Sequence, residues 1–299
     1  MALKANAAQR LLSFSLGKKW DSRVTDLVIY AILAIIGITM IMPFIWMVGT
    51  SLKTHRELFV WPPQFFPAVP QWQNYPDAWN YSESVPFGRF FFNSAFVSIA
   101  VTLGQLITCT TAGYAFARLR FPGRNLLFLL YITTLMIPFQ VTLVPLYLIM
   151  KQLKWINTYY ALIVPGLVSA YGTFLARQFM VSLPYELEDA ARIDGASPPV
   201  TFLRVILPLC TPVLTTLTIL TFMGSWNAFL WPLIMISKTQ LRTLPIGLAF
   251  FTSVPETVGF PQYQLLMAAA TFSMIPTLIV FLAGQRYFIK GIALSGLKG

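Results

Sequence analysis

An all-α integral membrane protein with six spans is the fold class this sequence predicts, and three observations carry the prediction. Hydrophobic residues make up 57% of the 299 and charged residues only 10%, whereas an ordinary soluble domain is about a quarter charged. Six windows, 27–52, 90–117, 125–150, 155–176, 205–237 and 257–285, contain no Asp, Glu, Lys, Arg or His, and each reaches the roughly 20 residues that a helix needs to cross a bilayer. Lys and Arg fall between the windows and unequally on the two sides. The spans must be helices, because an open strand edge in lipid leaves backbone groups unsatisfied and no ten-residue alternating pattern suggests a barrel. With so much of the chain in spans, a single domain over 1–299 is expected.

The first window follows the basic stretch Lys18, Lys19 and Arg23, as the apolar part of a secretory signal would. It is far longer than the 7–15 residues of such a segment and no small-residue cleavage site follows, so it is expected to be retained as the first span. The second window carries the uncharged polar residues Asn93, Ser94, Ser98, Gln105 and Thr108, and the third carries Gln140 and Thr142. Proline punctuates the spans at Pro43, Pro138, Pro145, Pro165, Pro208, Pro212, Pro232 and Pro276. A membrane helix tolerates a proline where neighbours satisfy the freed carbonyl, but so many together predict kinked helices around a cavity. The fifth window adds Trp226, Asn227 and Trp231.

Orientation follows the positive-inside rule. One set of connections holds Lys4, Arg10, Lys18, Lys19, Arg23, Arg118, Arg120, Arg124, Arg177, Arg192, Arg204, Arg286, Lys290 and Lys298. The other holds Lys53, Arg56, Arg89, Lys151, Lys154, Lys238 and Arg242, half as many over longer loops. Both termini are therefore expected in the cytoplasm. The net charge of +11 is then a membrane-surface property, since nucleic-acid binders gather their cations on one polar face; no nucleic-acid partner is expected. Cys109 and Cys210 both lie in apolar windows and read as packing residues.

Windows free of ionisable groups weigh against a proton- or ion-coupled carrier, which usually places such a group in the membrane. Sodium sites built from carbonyls and hydroxyls keep that alternative open. A membrane enzyme finds no support: the one histidine, His55, is in a loop, and no HExxH, GxSxG or metal-ligating spacing occurs. No GxxxxGK loop is present either, so ATP could drive this protein only through another chain. Amides, hydroxyls and aromatic faces within the spans suit a neutral sugar or polyol. Asn93, Gln105, Trp226 and Asn227 are the candidate cargo-path residues, with the alternative that they bind helix to helix.

Between the fourth and fifth windows runs Ser182-Leu-Pro-Tyr-Glu-Leu-Glu-Asp-Ala-Ala-Arg-Ile-Asp-Gly195. It predicts a short helix over 184–195. Ser182 reads as its cap, Pro184 suits a first turn, Glu186, Glu188 and Asp189 favour the positive end of the dipole, and Gly195 suits a left-handed ending. Leu183, Leu187, Ala190, Ala191 and Ile193 supply a slim apolar side. Such a helix either seats in a partner's groove or rests on its own bundle.

The run Glu188-Asp189-Ala190-Ala191, then Asp194 and Gly195, followed by Leu207-Pro208, resembles the Glu-Ala-Ala signature loop of ABC importer permeases; the family usually has Glu where this chain has Asp189. The resemblance extends to Thr50–Thr54, Trp61-Pro-Pro63, Ser225–Leu233, Thr243–Gly247 and the tail Gln285–Gly299, and is to the carbohydrate-uptake branch, the smaller maltose-transporter permease in particular. It implies a type I importer fold with a cytoplasmic coupling helix, in a bacterial inner membrane. It further implies a second, non-identical permease, a dimer of ATPase subunits holding ATP and Mg, and an extracytoplasmic solute-binding protein. No cofactor is expected on this chain. On this resemblance Glu188, Asp189, Ala190, Ala191, Asp194, Gly195, Leu207 and Pro208 couple to the ATPase. The tail residues Ser295, Gly296, Lys298 and Gly299 touch it, and Glu256 and Phe260 lie in a loop that meets the binding protein. Sugar is the expected cargo, with glycerol phosphate or another small solute as the alternative.

Overall fold

The computed structural model describes residues 22–81, 86–252 and 261–296, and among the described residues the regular structure is all helical with no strand. Four stretches are long and apolar enough to cross a membrane: Thr25–Ser51, Phe87–Arg118, Tyr159–Val181, which is interrupted at residues 168–169, and Tyr263–Arg286. Two further stretches pass the same test only as bent pairs of helices. Helices Arg124–Met136 and Phe139–Gln152 meet at 100°, and Pro198–Leu209 and Thr211–Trp226 meet at 77°. The expected windows 125–150 and 205–237 are thus bent pairs and not single rods.

The breaks follow from proline. Pro138 drives the residue before it out of the helical region, and Ile137 is extended at φ −87°, ψ 113°. In the second pair Pro208 has no N–H to return to the preceding turn; Phe202–Ile206 widens into a π-helix just ahead of it and the chain turns at Cys210 before Pro212 restarts the helix. Pro43 and Pro276, by contrast, sit inside unbroken helices.

In chain order the helices are α1 (Ser22–Ser51), α2 (Asn74–Trp79), α3 (Phe87–Arg118), α4 (Arg124–Thr133), α5 (Phe139–Gln152), α6 (Tyr159–Ile163), α7 (Ala170–Val181), α8 (Glu186–Ile193), α9 (Pro198–Thr201), α10 (Leu207–Leu209), α11 (Thr211–Trp226), α12 (Leu230–Met235), α13 (Leu244–Phe250) and α14 (Tyr263–Gly296). The centre is α3, which packs along α7 and α11, while α11 packs on α14 and α14 on α1. Small residues permit the α3–α7 approach: a Cβ added at Gly113 would lie 2.8 Å from Ala176 Cβ and 3.0 Å from Arg177 N. Cys109 and Cys210 are free and buried, as packing residues are.

Three apolar clusters stack along the bundle. One, around Phe87, Phe222, Trp226 and Phe251, joins α3, α11, α13 and α14. The second, around Val101, Leu162 and Met235, holds α6 and α12 on α3. The third, around Tyr114, Met180, Phe202, Ile206 and Leu217, lies at the end of the bundle that carries α8. Helix α1 is the exception to this packing, since none of its most apolar stretch is buried.

Candidate functional site

Helix α8 is shorter than expected, Glu186–Ile193 within the window 184–195. Ser182 does not cap it. That residue ends α7, its hydroxyl donating to Phe179 O at 2.7 Å, and Tyr185 occupies the cap position without a side-chain bond. Gly195 behaves as expected: at φ +81° it is left-handed, the conformation that costs an L side chain about 1–2 kcal/mol, and Ala196 N then returns to Ala191 O at 2.9 Å.

The acidic residues of α8 face two ways. Asp189 is exposed and pairs loosely with Arg192 at 3.6 Å, an interaction of small energy at a surface. Ala190, Asp194 and Gly195 are also exposed, and Ile193 is 86% exposed. Glu188, which the resemblance groups with the ATPase-coupling residues, points the other way. It is buried, with its Oε1 3.1 Å from Arg118 Nε at the end of α3. Burial pushes the Glu188 carboxyl above the usual carboxylate range, and the Arg118 guanidinium opposes that rise.

Arg118 is the residue that sequence reasoning missed, having counted it only as a loop cation. Its Nη2 donates to Met180 O in the last turn of α7 and to Leu183 O in the turn that follows. Its guanidinium also lies 4.1 Å from the Tyr185 ring centroid, a cation–π distance. One side chain therefore fastens the end of α3, the α7–α8 turn and α8 itself. The signal was its position, directly after the last residue of a charge-free window. Leu207 is half-buried and packs against the third apolar cluster, and Pro208 is exposed.

A second feature lies where the helices break. A cavity of about 510 Å³ is lined by Gln105, Phe139, Ser169, Tyr171, Thr221 and Trp231 among others, with no charged residue in its wall. Gln105 spans it, donating to Gly166 O at 2.8 Å and accepting from Thr221 Oγ1 at 3.0 Å. Gly224 opens the wall further, since a Cβ there would meet nothing within 4 Å.

The other candidate path residues are placed differently. Asn93 is buried with both amide hydrogens donated, to Gln240 O and Arg242 O, and with Oδ1 accepting from Tyr159. Trp226 is 2% exposed and donates to Ser273 O at 3.0 Å within the first apolar cluster. Both bind helix to helix. Asn227 is exposed at the end of α11 and donates to Met223 O. Thr221, Ser169 and Tyr171 line the cavity without having been singled out; hydroxyls within helices carry no pattern that separates a wall from a seam. Ser295 and Gly296 close α14, and Lys298, Gly299, Glu256 and Phe260 lie outside the described residues.

Broken spans around an uncharged cavity, with a short acidic helix fastened to the bundle by one buried arginine, define a membrane permease built to work with other subunits. The chain belongs to the family described as binding-protein-dependent transport system inner membrane component, whose model matches residues 109–294. It is a permease subunit of a binding-protein-dependent importer, consistent with a non-enzymatic chain in the membrane. It is 40% identical over 219 residues to the arabinooligosaccharides transport system permease protein AraQ of Halalkalibacterium halodurans, covering 73% of this chain and 77% of that one. It is 35% identical over 266 residues to the sn-glycerol-3-phosphate transport system permease protein UgpE of Pectobacterium atrosepticum, covering 87% and 94%. The crystal structure of a bacterial ABC transporter involved in import of the polysaccharide alginate contains a chain of the same fold, at a TM-score of 0.80 and 22% identity over 91% of this chain and 99% of that one.

Proposed function

We propose that the whole chain acts as one permease domain forming half of the translocation pathway for a neutral sugar or short oligosaccharide, with α8 as its coupling helix to an ATPase subunit. The observation that carries the reading is the division of α8 into an anchored face, Glu188 on Arg118, and an open face of Asp189, Ala190, Ile193 and Asp194. Anchoring on one side and exposure on the other is what a lever between two subunits requires. Both termini and α8 lie on the cytoplasmic side, following the fourteen-to-seven division of basic residues. The ATPase subunits bind ATP and Mg there, and the tail Ser295–Gly299 reaches toward them. A second permease completes the pathway, and a solute-binding protein docks outside over the segment containing Glu256 and Phe260.

ATP binding closes the ATPase pair and moves α8, and the differential affinity of the closed pair for one arrangement of the permeases shifts their population outward. Cargo crosses beside the cavity of Gln105, Ser169, Thr221 and Trp231, where hydroxyl and amide groups meet sugar hydroxyls and aromatic faces meet C–H faces. The relative named for sn-glycerol-3-phosphate supports a second reading, a phosphorylated polyol. That cargo needs a cation along its route, which the companion permease would supply because this cavity offers none.

The test is the purified complex in nanodiscs, assayed for ATPase stimulation by the binding protein loaded with each candidate solute. A neutral sugar should stimulate, and Asp189→Lys should abolish the stimulation with the complex still assembled. Stimulation that survives Asp189→Lys would remove α8 from the coupling route, and stimulation by a phosphorylated polyol alone would replace the sugar reading.

A further inference from the structure

The segment between α1 and α2 is fastened tightly although it has no regular structure beyond a 3-10 turn, Arg56–Phe59. Gln71 N donates to Leu52 O at 2.8 Å. Asn74 Nδ2 bridges Ser51 O and Lys53 O, both at 2.8 Å. Glu57 accepts from Thr54 N, Thr54 Oγ1 and Ala68 N, and Lys53, 2% exposed, turns back to donate to Gln64 O. The segment is a closed loop with a fixed outer surface.

That outer surface is apolar. Phe59 is 68% exposed, Trp61 85%, Phe66 61%, Val69 66% and Trp72 68%. Water does not hold five such side chains open on one short loop without cost, since burying each of the larger ones is worth about 1.5–3 kcal/mol, and so much apolar surface exposed within residues 59–72 marks an interaction site.

Its level in the molecule identifies what it meets. The Phe65 ring packs edge-on against Trp46 at 5.2 Å, and Phe65 O stands so close to Gly49 that a Cβ there would lie 2.1 Å away. Trp46 is five residues before the end of α1, so the loop returns about 7.5 Å down the helix at 1.5 Å per residue. The span Thr25–Ser51 has 27 residues and is about 40 Å long, whereas the hydrocarbon core is about 30 Å thick. Charged residues follow its end at once, at Lys53, Arg56 and Glu57, and charge is costly in hydrocarbon, so its last turn stands at the headgroup layer and the loop stands beside it. The patch also continues the open surface of the span: Phe44 and Ile45 are exposed on α1, and Phe66 lies 3.6 Å from the Cβ position of Gly49 one turn on.

We infer that the loop 54–73 is a membrane-interface collar, whose Phe59, Trp61, Phe66 and Trp72 insert among lipid headgroups and fix the depth of α1. Trp61 and Trp72 favour that layer, where an apolar body and an N–H edge are both satisfied, and the phenyl rings of Phe59 and Phe66 add apolar area at its inner boundary. The exposed Arg56 sits beside the patch, suited to anionic headgroups.

The inference depends on α1 being a span and not on the cargo, so it stands or falls apart from the proposed transport. The full-length chain, purified with the subunits that accompany it, is placed in vesicles of phosphatidylethanolamine and phosphatidylglycerol. Either a headgroup nitroxide lipid or an acyl-end nitroxide lipid is added. The signal read is the fluorescence difference between wild type and the double variant Trp61→Phe, Trp72→Phe. The expected result is loss of that difference signal with the headgroup label, a much smaller loss with the acyl-end label, and no change when the soluble binding protein is added. Quenching by aqueous iodide alone would overturn it. So would iodide quenching that disappears on adding the binding protein, which would make the patch a docking surface, or shielding from every quencher, which would place it against the companion permease. Phe59→Tyr with Phe66→Tyr, which adds polar edges to the same rings, should keep the headgroup quenching; its loss would equally overturn the collar.

Discussion

Among the described residues two cations are buried, each beside the end of a long helix, and the two are held in different ways. Lys53, following α1, finds a backbone carbonyl of Gln64 and the face of Trp46 at 4.5 Å. Burial pushes its ammonium below the usual lysine range, opposed only by the more distant Glu57. Arg118, closing α3, has the Glu188 carboxylate, two carbonyls and the Tyr185 ring. The lysine's partners lie within 11 residues of it, so it shapes one loop. Those of Arg118 lie 62 to 70 residues further along the chain, so it joins elements that nothing in the sequence places side by side. A local pin and a long-range clamp should fail differently.

The largest expected effect is at the clamp. Glu188→Ala leaves Arg118 charged and buried without its carboxylate, a loss of about 3–5 kcal/mol for a pair broken on one side. The apparent midpoint of thermal unfolding of the complex should fall clearly, and Arg118→Ala should reproduce the fall. Asp189→Ala, at an exposed position of the same helix, should stay within about 0.5 kcal/mol. If Glu188→Ala and Asp189→Ala shift the midpoint equally, the inward assignment of Glu188 is wrong. The same contrast separates two losses of transport that look alike: Glu188→Lys fails through the fold, and Asp189→Lys through the partner.

The turn that ends α8 comes next. Gly195→Val places a β-branched residue at φ +81°, at a cost of about 1–3 kcal/mol. The space outside is open, with nothing within 4 Å of a Cβ, so backbone strain and not collision sets the cost. Gly195→Asn should recover most of the stability because Asn tolerates this region. Stability recovered by Asn without recovered coupling would show that the glycine also fits against the partner.

At the pin the effect should be smaller. Lys53→Met keeps most of the stem and removes a buried charge together with one hydrogen bond, so the terms oppose each other and the net change should be near 1 kcal/mol or less. Its signature is local: faster limited proteolysis between residues 54 and 73, with the thermal midpoint of the bundle unchanged. A midpoint shift as large as that of Glu188→Ala would erase the distinction between the two ends.

How much of this was legible in the sequence depends on the range of the interaction involved. Charge-free windows gave the spans because the cost of a charge in lipid is paid residue by residue, and Gly195 was readable because its backbone geometry is local. The 100° and 77° breaks were only half visible: prolines marked them, but Pro43 and Pro276 look the same in sequence and sit in unbroken helices. Whether a proline breaks a span is decided by what packs around it. Asn93 and Trp226 read like Gln105 as polar or amphipathic groups in spans, yet only Gln105 reaches the cavity wall, since facing is a property of the assembled bundle. The inward turn of Glu188 was hidden for the same reason, as its cation stands 70 residues earlier.

The smallest effect is a pH dependence within the pinned loop. The Glu57 carboxylate is held below the usual carboxylate range, first by the hydrogen bond from Thr54 N at 2.8 Å and then by those from Thr54 Oγ1 and Ala68 N. A depressed carboxylate contributes its stabilisation in full above its ordinary value of about 4.3 and loses it as pH falls through the folded-state value. The loop should therefore hold its form at neutral pH and loosen only in acid, seen as rising acrylamide access to Trp61 and Trp72 below about pH 4. Glu57→Gln keeps one acceptor oxygen and removes the titration, so its acrylamide access should be slightly raised and flat with pH. A wild-type transition that persists in Glu57→Gln would have to come from another group, and Glu57 would lose its place as the second fastening.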